Sequence, residues 1–276
     1  MFPLFDENEP GQGIAWVTLA LITVNVAVFL LLQQAGGDNQ FTYGFSTIPA
    51  EITTGRDIIN SQPVTIDGVR YLIPEAPGPS PIYLTLLTSM FMHGGWLHLG
   101  GNMLFLFIFG DNVEHYIGSF LYLVFYLVAG IIASFAQILV DPNSVVPNLG
   151  ASGAIAGVLG AYIVLFPRNR VVVFLLRFLV PVPAVVAIGL WAVLQFVSGI
   201  GSIAVTAQTD GVAYMAHVGG FITGVVVGSW RAASSATRRR DAAGRGDDGR
   251  LRRPQARRPL SLAPAVAPAE LLGETH

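Results

Sequence analysis

This chain has no cysteine and no lysine. Without cysteine there are no disulfides, no thiolate catalysis, no zinc–cysteine sites and no iron–sulfur clusters. Charge is scarce as well. Asp, Glu, Lys and Arg make up 12% of the residues, about half the share of an ordinary soluble domain. No His-Glu-x-x-His run occurs, so the common zinc-protease helix is missing. No two carboxylates pair in the middle of an apolar run, which argues against an aspartyl protease working within a membrane. Residues 1–13 carry no basic side chain. The positive flank of a cleavable signal peptide is thus lacking, and the first apolar run is expected to be a retained transmembrane helix.

What is present is apolar surface. Hydrophobic residues form 53% of the chain, and the mean hydropathy is +0.60. A membrane-spanning helix takes about 20 mostly apolar residues. Six runs approach this: 14–32, 96–109 with an extension over 90–92, 120–140, 152–166, 183–200 and 213–230. The expectation is an all-α polytopic membrane protein. It has an N-terminal segment at 1–13, a six-helix membrane domain at 14–231 and a tail at 232–276. Pro181 and Pro183 divide the long run 171–200, because proline removes a backbone donor. Residues 171–180 then form an interfacial segment; a single kinked helix is the alternative.

Every basic residue is arginine, and ten of the fifteen lie from Arg231 onward. Arg168, Arg170 and Arg177 follow the fourth run, whereas 141–149 and 201–212 hold none. The positive-inside rule then puts both termini in the cytoplasm, as in a multi-pass plasma-membrane protein. Arg56 and Arg70 fall in the long first loop, 33–81, whose end from 74 to 81 is proline-rich. Loops of this length are usually functional or mobile. The Arg-rich tail reads as disordered and held to an anionic leaflet. The bilayer is its expected partner; nucleic acid is not.

Polar side chains at membrane depth are costly and are read as functional by default. Two stand out: Ser152, opening the fourth run in Gly150-Ala151-Ser152-Gly153, and His217 in the sixth. Fifteen residues from 152 to 166 make about 22 Å of helix, short of the about 30 Å hydrocarbon core. Ser152 would therefore lie below the outer surface, where irregular backbone requires a surrounding water-filled cavity. At a helix start it can act as nucleophile, or it can be only an N-cap. His217 can be its base, or a structural histidine bonded to another helix. Gly153, Gly157, Gly220, Gly224 and Gly228 form small-xxx-small patterns that allow close backbone approach in lipid. His217 shares a face with Gly220 and Gly224, and Ser152 shares one with Ala156 and Gly160. Packing these faces would bring Ser152 and His217 within hydrogen-bond reach. His98 and Asn102, four apart, share a face and can both donate to a negative oxygen. A zinc ion on His93, His98 and His217 is a competing arrangement. With no carboxylate near either run, a Ser–His dyad is expected, without metal or cofactor.

Four motifs in this order resemble the rhomboid family of intramembrane serine proteases, over residues 1–230. They are His98 to Asn102; Glu114 with Gly118; Gly150-Ala151-Ser152-Gly153; and Ala216-His217-Val218-Gly219-Gly220 continuing to Gly224. The resemblance implies Ser152 as nucleophile and His217 as general base. It also implies His98, Asn102 and the Ser152 backbone N–H as oxyanion stabilisers, with His93 structural. Its implied substrates are single-span membrane proteins, cut near the outer end of the helix beside small residues. A catalytically inactive rhomboid-like protein that binds membrane clients is the alternative, and a proton-coupled carrier is a third. Two positions depart from the family pattern: no Trp-Arg pair occurs in the first loop, and Ala156 stands where many members carry an aromatic that stacks on the histidine.

Overall fold

A computed structural model describes residues 2–7, 13–66, 69–175, 177–204 and 213–250. It divides into a unit over Met1–Ser234 and a second over Ser235–His276. Strand β1 (Phe2–Asp6) precedes α1 (Trp16–Ala27), which widens into a π-turn over Val28–Leu32. The long first loop is built from α2 (Gln40–Phe45), α3 (Pro49–Thr54) and a hairpin of β2 (Gln62–Ile66) and β3 (Val69–Ile73). The short α4 (Thr85–Thr88) sits between two 3-10 turns. Then come α5 (Trp96–Ile117), α6 (Ser119–Val140) and α7 (Ser152–Leu165). Strands β4 (Arg170–Leu175) and β5 (Phe178–Pro183) lead to α8 (Ala184–Ala204) and α9 (Tyr214–Arg250).

The chain is mostly helical, but not all-α. β1, β4 and β5 form an antiparallel sheet in that order, with Val171 opposite Val182 and Val173 opposite Val180. The interfacial segment expected over 171–180 is thus a hairpin, and no kinked helix forms there. A short apolar run does not distinguish strand from helix by periodicity. Here the β-branched valines favour a pleated surface, and the prolines are tolerated because β5 is an edge strand.

The tail expected to be disordered from 232 is helical as far as Arg250. Its first residues are rich in Ala and Arg, both good helix formers. The rest of that tail and most of the 201–212 loop lie outside the described residues.

Among the described residues one helix, α6, is long and apolar enough to cross a membrane by itself, with mean hydropathy 2.4. Shorter apolar helices are Trp16–Leu32, Ile82–Phe91, Ser152–Leu165 and Ala184–Gly199. On α6 the face carrying Tyr122, Tyr126, Ala129 and Ala133 is buried. The face carrying Phe120, Val124, Val128, Ile132 and Leu139 is exposed. A continuous apolar stripe left open on a helix suits contact with lipid or another apolar partner.

Two devices fix the helices that hold the site. Glu114, near the end of α5, accepts hydrogen bonds from the Val17 and Thr18 backbone N–H groups at 3.0 and 2.8 Å. It also accepts from the Thr18 and Ser119 hydroxyls at 2.8 and 2.7 Å. A carboxylate thus caps the open first turn of α1, where unpaired N–H groups and the helix dipole favour an anion. Gly118 makes the α5–α6 turn at φ +87°, a conformation that favours glycine.

The second device is contact between backbones. A Cβ at Gly157 would fall 2.8 Å from Ala129 Cβ on α6 and 3.3 Å from the Gly220 carbonyl on α9. Cβ atoms at Gly220 and Gly224 would run into the Gly153 and Gly157 carbonyls of α7. Helix α7 lies between these neighbours, with every residue from Gly153 to Tyr162 buried.

Candidate active site

Ser152 is the first residue of α7, and the N-cap is Ala151 without any side-chain cap. The N-cap reading of Ser152 therefore does not hold. Its hydroxyl instead meets His217 Nε2 at 2.7 Å, across 65 positions of sequence. The preceding Gly150 has φ +123°, and its N–H donates to the Ser89 carbonyl at 2.9 Å. A Cβ there would lie 2.7 Å from His98 Nε2 and 3.7 Å from Asn102 Nδ2. Gly150 is thus required both by conformation and by space, and His98 and Asn102 converge on the turn that carries Ser152.

The loop entering that turn is tied down. Thr47 and Asn148 exchange backbone hydrogen bonds at 2.9 and 2.8 Å, and the Ala50 N–H donates to the Ser144 carbonyl. The Thr53 hydroxyl donates to the Pro142 carbonyl at 2.9 Å. The first loop therefore braces the backbone leading to Ser152.

The ring hydrogens follow from the neighbours. His98 Nδ1 accepts from the Gly94 N–H at 3.3 Å, so in the neutral ring the hydrogen sits on Nε2, the atom facing Gly150. Asn102 is buried, with its amide nitrogen 3.0 Å from His93 Nε2. One N–H is directed to His93, and among the described residues the second has no partner. His93 is itself fixed at its backbone: its N–H donates to Gln33 Oε1 and its carbonyl accepts from Gln33 Nε2, both at 2.9 Å. His93 thus orients Asn102. The His93 and His98 rings lie 5.1 Å apart, while His217 is engaged by Ser152. Among the described residues no three His, Asp or Glu side chains gather where a metal could be held.

Sequence reasoning overlooked two residues, both on α8. Gln195 Oε1 lies 2.7 Å from His217 Nδ1, and the Trp191 ring lies 5.9 Å from the His217 ring, tilted by 39°. The signal was present: a lone glutamine in an apolar run is costly for the same reason as a lone histidine. What this arrangement can do is acyl transfer. It has a hydroxyl on a base, with several N–H donors converging beside it.

Comparison with known proteins agrees with the motifs. A family model described as "Rhomboid domain" matches residues 81–233. "Rhomboid protein 1, mitochondrial" of Saccharomyces cerevisiae is 31% identical over 169 residues, which is 59% of this chain and 46% of that protein. "Rhomboid protease GluP" of Bacillus subtilis is 44% identical over 85 residues, 31% of this chain and 16% of the relative. "RHOMBOID-like protein 6, mitochondrial" of Arabidopsis thaliana is 26% identical over 234 residues, 79% and 69% respectively. The chain thus spans less than half the length of the yeast relative and less still of the Bacillus one. The plasma-membrane location expected from the sequence is corrected by the yeast and Arabidopsis relatives, which are mitochondrial by name. Charge asymmetry can orient a chain in a bilayer, but it does not say which bilayer.

Proposed function

The chain belongs to the rhomboid family, and we propose that it is an intramembrane serine endopeptidase that cuts single-span membrane proteins within or beside their helices. Six spans fit this reading: α1 with its π-turn, α5, α6, α7, α8, and α9 as far as about Trp230. A mitochondrial membrane, where the yeast and Arabidopsis relatives are named, is the proposed setting.

The reaction follows from the contacts. A substrate segment unwinds beside α7 and offers a peptide carbonyl to Ser152. Ser152 Oγ attacks the carbonyl carbon as its proton passes to His217 Nε2. The carbonyl oxygen becomes an anion and accepts hydrogen bonds from the Ser152 N–H, His98 Nε2–H and the second Asn102 N–H. The C–N bond then breaks, and the leaving amine takes the proton from His217. Water, deprotonated by His217, opens the resulting serine ester and restores the hydroxyl.

One observation carries the proposal: the 2.7 Å contact between Ser152 Oγ and His217 Nε2 at the first residue of a buried helix. An inactive client-binding protein would have no use for a serine hydroxyl held against an imidazole nitrogen. A fluorophosphonate probe tests this without knowledge of the substrate. Labelling of the wild type, lost in Ser152→Ala and strongly reduced in His217→Ala, is expected. Equal labelling of wild type and Ser152→Ala would rule the nucleophile out.

A further inference from the structure

A serine–histidine pair fixes one imidazole nitrogen and leaves the other to choose its partner. To accept a proton, Nε2 must be bare, so Nδ1 must carry the hydrogen. In serine proteases with a third member, a carboxylate on Nδ1 sets that tautomer. The motifs here contain no such carboxylate, yet Nδ1 has a partner. Gln195 Oε1 lies 2.7 Å from it, and an amide oxygen can only accept.

Gln195 belongs to an organised face of α8. Ala184, Ile188, Trp191 and Gln195 follow one another at spacings of four, three and four, one stripe of a helix. Ala184 and Ile188 are buried, and Trp191 lies against the His217 ring. The opposite side, with Val186, Leu190, Val193 and Val197, is exposed. An apolar crevice lined by Phe105, Phe109, Leu159, Val173, Ile188 and Trp191 opens between α8, helices α5 and α7, and strand β4. Helix α8 is therefore seated through a narrow stripe, and that stripe ends on the imidazole.

We infer that Gln195 is a positioning residue for peptide hydrolysis: its amide oxygen holds His217 in the Nδ1–H tautomer and in plane with Ser152, so that the alignment of the dyad depends on the seating of α8. The inference rests on the protease reading for its kinetic consequence but not for its structural one. A neutral amide supports the imidazolium through its dipole alone, more weakly than a carboxylate would. That difference supplies the test.

The experiment compares wild type, Gln195→Leu and Gln195→Glu in detergent, with thermal unfolding as the check on folding. The first readout is the 15N shifts of the His217 ring, which report the tautomer whether or not a substrate is known. Nδ1–H in the wild type and a mixed or Nε2–H population in Gln195→Leu are expected; Nε2–H in the wild type overturns the inference. The second readout is cleavage. Gln195→Leu should lower kcat by about 10- to 100-fold with KM within about twofold, less than the ~10²–10⁴-fold that a general base supplies. Gln195→Glu should recover most of that loss and move the acid limb of kcat/KM to higher pH, because a carboxylate raises the histidine pKa. Unchanged kcat and an unchanged pH profile in both variants, with Ser152→Ala inert, would overturn the role of Gln195 and leave the protease reading intact. A wild type that neither cleaves nor labels with fluorophosphonate would instead strike the protease reading, and the ring shifts would still decide the tautomer.

Discussion

Trp191 stands with its ring 5.9 Å from that of His217, and it comes from α8 rather than from α7, where the resemblance in sequence led to the expectation of an aromatic. Ala156 occupies that other position. It is fully buried, and a Cβ on Gly220 of α9 would lie 3.4 Å from its own Cβ. A ring at 156 would force α7 and α9 apart, so the aromatic wall comes from α8. Trp191→Ala should lower cleavage by about 10-fold or more through a looser imidazole, whereas Trp191→Phe keeps most activity. Ala156→Phe should cost about 1–3 kcal/mol from overpacking. Thermal unfolding and cleavage rates of the three variants check this together; an undiminished rate in Trp191→Ala would remove the indole from the account.

Glu114 serves stability rather than chemistry. Its two oxygens receive four donors, two of them backbone N–H groups in the first turn of α1. Glu114→Ala should destabilise the protein by roughly 2–3 kcal/mol, and Glu114→Gln by about half of that, since one oxygen still accepts. Unfolding by denaturant in mixed micelles reads both. A wild-type midpoint for Glu114→Ala would mean that α1 needs no cap.

The first loop should respond to pH. Glu75 is 8% exposed, and among the described residues neither carboxylate oxygen has a hydrogen-bond partner. Burial, with the neighbouring Glu51 adding to it, pushes its pKa from 4.5 to about 8. Burial likewise raises Glu51 to about 7, against the pull of the Ile58 N–H that donates to it. Both groups therefore bind a proton more tightly in the folded loop than in an unfolded chain. Their contribution to stability is full below about pH 4.5 and is lost as pH rises through about 7 and then 8. Hydrogen exchange over residues 47–58, corrected for intrinsic rates, should lose protection from pH 6 to pH 9, and Glu75→Gln should flatten that slope. Protection that grows with pH would contradict it.

Close approach of α7 and α9 requires glycine at 224. A methyl there meets the Gly157 carbonyl, and Ala161 N lies 2.8 Å from the added carbon. Neither neighbour can yield, because both are helix backbone. Gly224→Val should cost at least about 1–3 kcal/mol and separate Ser152 from His217, seen as lost fluorophosphonate labelling. Full labelling with an unchanged melting temperature would show that the helices tolerate more distance than the packing suggests.

The helices were legible because six apolar runs leave little else for the chain to form in a bilayer, although the six crossings themselves remain part of the proposal. Ser152, His217, His98 and Asn102 could be singled out because polar groups in such runs are few, and the glycine faces indicated which helices meet. Less was legible where two local tendencies compete. Residues 170–183 are apolar and β-branched, and pairing with β1, distant in sequence, settles them as strands. The residues after Trp230 have the polarity of a disordered tail but the helix propensity of Ala and Arg. The His93–Asn102 bond and the two α8 contacts to His217 depend on tertiary placement, which spacing along the chain does not encode. Gln195 is the exception. The cost of a polar group in an apolar run marks it as much as it marks His217, although no motif contains it.

The most direct test of the central claim is cleavage of a single-span substrate reconstituted in liposomes by wild type, Ser152→Ala and His217→Ala. Two products are expected from the wild type, with the Ser152→Ala rate lower by at least about 10³-fold and His217→Ala nearly as low. Cleavage that persists in purified Ser152→Ala at the wild-type rate would contradict it.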